Sequence, residues 1–342
     1  MADPGTAHCG GIERRGNAVS AALSTPAEKA AGAGQRIKLA ILVTGADLAP
    51  EALALLTDYH MVYAGEKPSD QDIVDLCRDH NPVAIIVRYG KIGALAMDAA
   101  PALRVISKHG SGIDTIDKAA AEERHIEVVA AAGANAAAVA EQALTLLLAC
   151  AKSVVALNTR MHSGHWDKAT HKSLELGGKT LGLIGLGAIG LRTAKLAAAL
   201  DMRIIGFDPY AKGTPDYVQR VDLQTLWRES DVISLHCPLT DDNRGLINAD
   251  TLSQCKRGVI IVNTARGGLI DEQALLDAIH SGQVQMAALD SFAIEPMVEN
   301  HPFQGEKNII LSPHIGGVTA DAYVNMGVGA AKNLLAVLAA DK

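Results

Sequence analysis

The feature that most constrains the fold is a run of glycines in the middle of the chain. In Leu181-Gly182-Leu183-Ile184-Gly185-Leu186-Gly187-Ala188-Ile189-Gly190, an apolar strand pattern runs into a Gly-x-Gly-x-x-Gly spacing that opens a helical segment. Glycines at 185, 187 and 190 permit a tight turn, close approach of backbone to a pyrophosphate, and close packing of helix on strand. The phosphates then sit at the helix N-terminus. The same glycines would also suit a bare tight turn, so context decides. A second strand pattern, Arg203 to Phe207, ends at Asp208, 18 residues after Gly190. A carboxylate there accepts hydrogen bonds from the adenosine ribose hydroxyls and repels a 2′-phosphate. Strand, turn, helix and acid together predict a site for NAD rather than NADP.

Strand and helix patterns alternate on both sides of this motif. Before it come strands at Ile37–Val43, Tyr59–Tyr63, Ala84–Val87, Arg104–Ser107 and Ile126–Val129, with helical patterns around Pro50–Leu56 and Asp70–Asp79. After it come a helix over Gly190–Leu200 and strands at Val232–Leu235, Val259–Asn263 and Gln285–Leu289. Such alternation argues for parallel sheets covered by helices. A chain of 342 residues has room for two such units, at about 100–200 residues each. Between them, Asn135 to Met161 is rich in Ala and Leu without Gly or Pro, which predicts one long interdomain helix. Residues 1–35 lack periodicity and predict a flexible extension.

Composition excludes several functions. Aromatic residues are 3% of the chain, too few for base-stacking platforms, and the net charge of −7 does not suit a phosphate backbone. No nucleic-acid partner is expected. Cys9, Cys77, Cys150, Cys237 and Cys255 show no C-x-x-C pair and fit reduced thiols of a cytoplasmic protein. The apolar runs at 143–151 and 259–262 fall short of the roughly 20 residues of a membrane helix, so no membrane partner is expected. The N-terminal MADPGTAHCGGIERRG lacks a signal core. His162, His165 and His171 cluster around Trp166 without Cys or carboxylate at ligand spacing, so no metal is expected. Arg14-Arg15 and the charged residues of 121–125 read as solvent-facing.

A second constellation lies downstream. Val262-Asn263-Thr264-Ala265-Arg266-Gly267-Gly268 places an arginine at the carboxyl end of an apolar strand, where α/β sheets bind ligands. A guanidinium there grips a carboxylate bidentately and polarises a neighbouring carbonyl. Asp290, then Glu295-Pro296, then Ser312-Pro313-His314-Ile315-Gly316-Gly317 follow. A histidine backed by a carboxylate moves protons near neutral pH.

At this point the chain resembles the D-isomer-specific 2-hydroxyacid dehydrogenases over about residues 37–340, and within them the catalytic unit of D-3-phosphoglycerate dehydrogenases. The resemblance rests on HGSGIDTID at 109–117, Asn135 followed by Val139-Ala140-Glu141, GLGAIG at 185–190, FDP at 207–209, HCPLT at 236–240, NTARGG at 263–268, LDSFAIEP at 289–296 and PHIGG at 313–317. It implies a catalytic set of Arg266, Glu295 and His314. It implies a doubly wound Rossmann NAD domain, 134–317, inserted into a flavodoxin-like substrate domain made of 36–133 and 318–342, with hinges near Gly133-Ala134 and Gly316-Gly317. Cofactor contacts implied are Ser111, Gly185, Gly187, Ala188, Ile189, Gly190, Asp208, Cys237, Pro238, Thr264, Ala265, Arg266, Asp290, His314, Gly316 and Gly317. Cys237 then lines the cofactor cleft and is no nucleophile.

Substrate contacts implied are Arg266 and His314, the backbone N–H groups of Tyr89 and Gly90 toward an α-carboxylate, and Arg88 toward a distal phosphate, with Lys91 and Lys108 adding charge. An anionic 2-hydroxy acid, 3-phosphoglycerate first, is therefore expected, with glyoxylate or hydroxypyruvate reduction as the alternative. Tyr89 departs from the smaller polar residue usual in the family, as do Ala130-Ala131-Ala132 from Asn-Thr-Pro and Ala293 from an acidic residue or proline. The chain stops at Lys342, after the expected last helix, and so predicts no regulatory domain. The resemblance further implies a two-fold homodimer through 135–161. A non-enzymatic NAD-sensing corepressor shares the Arg, Glu, His set and stands as a rival. Formate dehydrogenase is disfavoured because that branch carries Gln where Glu295 stands.

Overall fold

The computed structural model describes residues 38–340; the expected extension 1–35, with Cys9 and Arg14-Arg15, lies outside the described residues. The first part of the chain alternates as β1 (Ala40–Val43), α1 (Pro50–Leu53), β2 (His60–Tyr63), α2 (Asp70–His80), β3 (Ala84–Val87), α3 (Ala94–Asp98), β4 (Val105–Lys108), α4 (Lys118–Glu123) and β5 (Glu127–Ala130). The rest runs α5 (Ala136–Lys152), α6 (Val154–His162), β6 (Thr180–Ile184), α7 (Ala188–Ala198), β7 (Arg203–Phe207), β8 (Val218–Arg220), α8 (Leu223–Glu229), β9 (Val232–Leu235), α9 (Ala249–Gln254), β10 (Val259–Asn263), α10 (Glu272–His280), β11 (Val284–Leu289), β12 (Ile309–Leu311) and α11 (Ala320–Ala340).

The strands form a five-stranded sheet of order β2-β1-β3-β4-β5 and a seven-stranded sheet of order β12-β11-β10-β9-β6-β7-β8. All pairings between these strands are parallel, as in Ile41 beside Ala84 and Leu181 beside Val232. The first order is the flavodoxin-like one and the second the Rossmann one, so both sheets are doubly wound. Continuous apolar runs make this possible. AILV in β1, AIIV in β3 and VIIVN in β10 are buried at every position, as strands covered on both faces must be. Each sheet has an aliphatic core on either face. The short strands β8 and β12 were not legible, because each has three residues and is only partly buried at the sheet edge.

Local chemistry sets several boundaries. Ser69 and Asp72 close a capping box at the start of α2, and Asp117, Asp222 and Asp271 cap α4, α8 and α10. The single helix expected over 135–161 is two helices. Ser153 adopts φ 52°, and α5 and α6 meet at a bend of 59°. The break follows from capture of the end carbonyls. Leu174 N–H donates to Ala151 O at 2.9 Å, and the Ser173 hydroxyl donates to Lys152 O at 3.4 Å. Arg124, expected to face solvent, instead forks onto Asp98 through Nε and Nη2.

Helix α11 corrects the reading of the apolar runs. Its 21 residues are long and apolar enough to cross a membrane by length and composition. In the fold, however, Ala330, Ala331, Leu334 and Leu338 are buried in the core on one face of the first sheet. Ser107 Oγ donates to Ala330 O at 2.9 Å, and Asn333 Nδ2 donates to Ala130 O at 2.8 Å. Helix α5 packs instead against α7, β10 and β11 of the second sheet.

Candidate active site

The loops that leave the carboxyl ends of both sheets carry the chemistry-bearing residues. After β6, Gly185 takes φ +98°, and a Cβ there would stand 2.6 Å from His236 O. A Cβ at Gly190 would stand 2.1 Å from Gly185 O, whereas one at Gly187 would meet nothing within 4 Å. The loop is thus tight against its own protein on one side and open on the other, beside Ala188 and Ile189 in the first turn of α7. That shape suits a pyrophosphate at a helix N-terminus. Asp208 stands at the tip of β7, where Oδ2 accepts from Leu186 N–H at 2.9 Å and Oδ1 from Tyr210 N–H at 2.8 Å. Each oxygen keeps a lone pair for a ribose hydroxyl. Cys237 lies half-buried after β9 with Pro238 exposed beside it, and burial pushes the Cys237 thiol up to about 11, so it is protonated at neutral pH. Ser111 Oγ donates to Asn135 Oδ1 at 3.2 Å.

The turn after β10 is pinned by buried Asn263, whose Oδ1 accepts from Ala265 N–H at 3.0 Å and whose Nδ2 donates to Arg266 O at 2.9 Å. The hydroxyl of Thr264 is buried without a protein partner, which leaves a polar group for a bound molecule. Arg266 reaches across the cleft. Its Nε and Nη2 donate to Asp114 Oδ2 at 2.9 and 2.7 Å, and its Nη1 to Ala265 O at 2.7 Å.

The loops after β11 and β12 are tied together by buried Asp290. Its Oδ1 accepts from the Ser312 hydroxyl and from Ile315 N–H, and its Oδ2 from Gly316 N–H at 2.7 Å. Gly317 lies against Asn135, which a Cβ at 317 would approach to 2.7 Å. This tie presents His314, held at φ +54°, to Glu295. His314 Nδ1 and Glu295 Oε2 are 2.7 Å apart, and Glu295 Oε1 accepts from Phe292 N–H at 2.9 Å. Among the described residues His314 Nε2 has no hydrogen-bond partner. The hydrogen bond to Glu295 raises the His314 pKa against the opposing effects of burial and of Arg266. Burial pulls the Glu295 carboxyl up, but the bonds from His314 and Phe292 outweigh it and leave the group below its ordinary range. A cavity of about 600 Å³ opens beside the pair, lined by Phe292, Met297, Leu311 and Pro313 among others.

The residues expected to meet substrate are disposed differently. Arg88, at the end of β3, is not a free cation: Nη1 pairs with the Asp47 carboxylate and donates to Asp47 O at 2.6 Å, and the guanidinium lies 5.0 Å from the Tyr323 ring. Its side chain is 13% exposed. The hydrogen bond and charge of Arg88 hold Asp47 below the ordinary carboxylate range. The Tyr89 N–H, expected at a carboxylate, instead donates to Thr44 O at 3.0 Å because the end of β1 competes for it. Among the described residues the Gly90 N–H has no such partner. Lys108 donates to Arg88 O at 3.2 Å, and burial, with Arg266 nearby, lowers its pKa to about 8.

Asp47, Asp114 and Tyr323 were missed as site residues. Asp114 lies inside HGSGIDTID, but nothing in the spacing signals a partner 152 positions away. Among the described residues no group of His, Cys, Asp and Glu is arranged to hold a metal.

The family model described as D-isomer specific 2-hydroxyacid dehydrogenase, NAD binding domain, matches residues 144–316. The chain belongs to that family. It is an NAD-dependent oxidoreductase acting on the hydroxyl of 2-hydroxy acids. Over 248 residues it is 44% identical to the hydroxypyruvate reductase of Thermotoga maritima, covering 72% of this chain and 81% of that one. It is 39% identical to the D-3-phosphoglycerate dehydrogenase of Archaeoglobus fulgidus over 74% of this chain, but spans only 49% of that relative's length. The crystal structure of the TT0316 protein from Thermus thermophilus superposes with a TM-score of 0.81 at 35% identity, covering 88% of this chain and 97% of that one.

Proposed function

We propose that this dehydrogenase reduces a short, unphosphorylated 2-oxo acid of the glyoxylate or hydroxypyruvate kind, or oxidises the matching D-2-hydroxy acid, through Arg266, Glu295 and His314. The observation that carries the reading is the histidine–glutamate pair at 2.7 Å, within reach of the Arg266 charge. NAD held there would supply the hydride acceptor for C2 of the hydroxy acid and, when reduced, the hydride donor to the oxo acid. In reduction, His314 gives the proton on Nε2 to the C2 oxygen, and in oxidation it takes that proton back. Glu295 accepts from Nδ1–H, orients the ring and favours its charged form. Arg266 holds the carboxylate and the C2 oxygen, on which negative charge grows in the transition state. Gly185, Gly187, Gly190 and the first turn of α7 would hold the pyrophosphate, and Asp208 the adenosine ribose.

The pairing of Arg88 with Asp47 favours an unphosphorylated substrate, because the cation that a distal phosphate needs is already neutralised. The second reading, 3-phosphoglycerate to 3-phosphohydroxypyruvate, is favoured by the name of the Archaeoglobus relative. It requires Arg88 to leave Asp47. Residues 36–133 with 318–342 would then hold the acid, and 134–317 the NAD. Exposed Val154, Val155, Met161 and Trp166 around α6 support a two-fold homodimer through this region. The free thiols of Cys77, Cys150, Cys237 and Cys255 suit the cytoplasm.

The deciding measurement is kcat/KM with NADH for glyoxylate, hydroxypyruvate, pyruvate and 3-phosphohydroxypyruvate, read at the nicotinamide absorbance band. Glyoxylate or hydroxypyruvate should lead the phosphorylated acid by at least about tenfold, the factor that goes with ~1.4 kcal/mol. A lead for 3-phosphohydroxypyruvate would replace this reading by the second.

A further inference from the structure

Arg266 has five N–H donors in a planar fork, and three of them are spent inside the protein. Nε–H and one Nη2–H go side-on to Asp114 Oδ2, and one Nη1–H goes to Ala265 O. What remains is one N–H on each of Nη1 and Nη2. With the side-on edge taken by Asp114, the edge left to a substrate is the end-on one, Nη1 with Nη2, which can meet a carboxylate or a carboxylate and a carbonyl oxygen together. The position of Asp114 therefore decides which edge of the guanidinium is free. The backbone makes room for this seat. A Cβ at Gly112 would come within 2.0 Å of Arg266 Nη2, so only glycine lets the guanidinium lie against this loop. Asp114 and Gly112 belong to the loop after β4, while Arg266 belongs to the loop after β10, so the seat joins the two sheets.

We propose that Asp114 is a positioning residue for the reaction, one that holds Arg266 side-on across the cleft and so aims its end-on fork at the substrate. The inference rests on the function proposed above. The Arg266 charge is needed most where the C2 oxygen takes up charge, and a guanidinium free to rotate about its long stem would be spread over several orientations at that moment. Asp114→Asn keeps the shape of the side chain and removes the charge that grips Nε and Nη2.

The test is a double-mutant cycle on glyoxylate and hydroxypyruvate reduction, using Asp114→Asn, Arg266→Lys and the pair, with NADH affinity measured for each by fluorescence. Asp114→Asn should lower kcat/KM by about 10- to 150-fold, the loss that goes with a charge-assisted hydrogen bond. That loss should fall on kcat, with NADH affinity unchanged. In the Arg266→Lys background, where no fork exists to be aimed, the same substitution should change kcat/KM by less than about threefold. Wild-type kcat/KM in Asp114→Asn, an equal loss in both backgrounds, or a loss carried by KM alone would each overturn the proposal while leaving the proposed function intact. A wild-type enzyme that turned over none of the 2-oxo acids would overturn both.

Discussion

Replacing Asp208 tests the cofactor site, and the structure sets the size of the effect. The carboxylate stands half-buried at the tip of β7, so a 2′-phosphate on the ribose would meet it through a medium between water and protein surface. At about 4 Å, each unit of phosphate charge costs roughly 1 kcal/mol at the dielectric of water and about 4 kcal/mol at the value usual near protein surfaces. The preference for NADH over NADPH should therefore be about 5- to 1,000-fold, and Asp208→Asn should narrow it by at least about tenfold. Asp208→Ala should do so at a further cost. It leaves the Leu186 N–H, now bonded at 2.9 Å in a buried loop, without a partner, whereas the exposed Tyr210 N–H finds water. An unsatisfied buried donor costs about 1–3 kcal/mol, so the alanine variant should melt several degrees below the asparagine variant, whose amide oxygen still accepts. The assay is kcat/KM for glyoxylate with each reduced nicotinamide, beside thermal unfolding. Equal use of NADPH by the unaltered protein, or an unchanged ratio in Asp208→Asn, would refute the reasoning.

His314→Gln should lower kcat by about 10²–10⁴-fold with NADH affinity unchanged, as measured by steady-state rates and fluorescence titration. Because Glu295 raises the His314 pKa, reduction should hold through the pH at which a free imidazole has lost its proton and fall only above it; oxidation, which needs the neutral ring, should rise over that same range. Lys108, with its pKa near 8, carries charge below that pH and loses it above, so KM for glyoxylate should climb above pH 8, and Lys108→Arg should flatten the climb. Asp47→Asn should free Arg88 and raise kcat/KM for 3-phosphohydroxypyruvate by about tenfold or more while sparing glyoxylate, as competition between the two acids would register.

What could be read from the sequence follows a physical pattern. Strands β3, β7, β9 and β10 are legible to the residue because their runs, such as AIIV and VIIVN, are largely apolar and stop at polar residues, Arg88, Asp208, His236 and Thr264. The glycine loop is legible because the turn at Gly185 and the close packing at Gly190 demand residues without a side chain. The break at Ser153 is not, since it arises from carbonyls captured by Ser173 and Leu174, whose approach no local pattern encodes. The same holds within the site. His314 and Glu295 lie in short motifs on loops that leave neighbouring strands, whereas the partners of Arg88 and Arg266 are Asp47 and Asp114, brought in by tertiary folding alone. A cation's presence can be read from sequence, but its availability cannot, because an ion pair depends on which acid the fold carries to it.

That distinction bears directly on the substrate. Setting aside Lys91, which lies exposed in the loop after β3, the arginines and lysines near the ends of β3, β4 and β10 are Arg88, Lys108 and Arg266, a set cationic enough for a phosphorylated acid. The fold pairs Arg88 with Asp47 and Arg266 with Asp114. One positive charge is left over, near Lys108 and Arg266, when all five groups are ionised. A short monocarboxylate matches that charge, whereas a phosphate dianion added to the carboxylate exceeds it and must break an existing pair to be held. Breaking such a pair forfeits part of what the new contact supplies. The local charge balance and the engaged Arg88 therefore point the same way, toward a small 2-oxo acid whose single carboxylate shares Arg266 with Asp114.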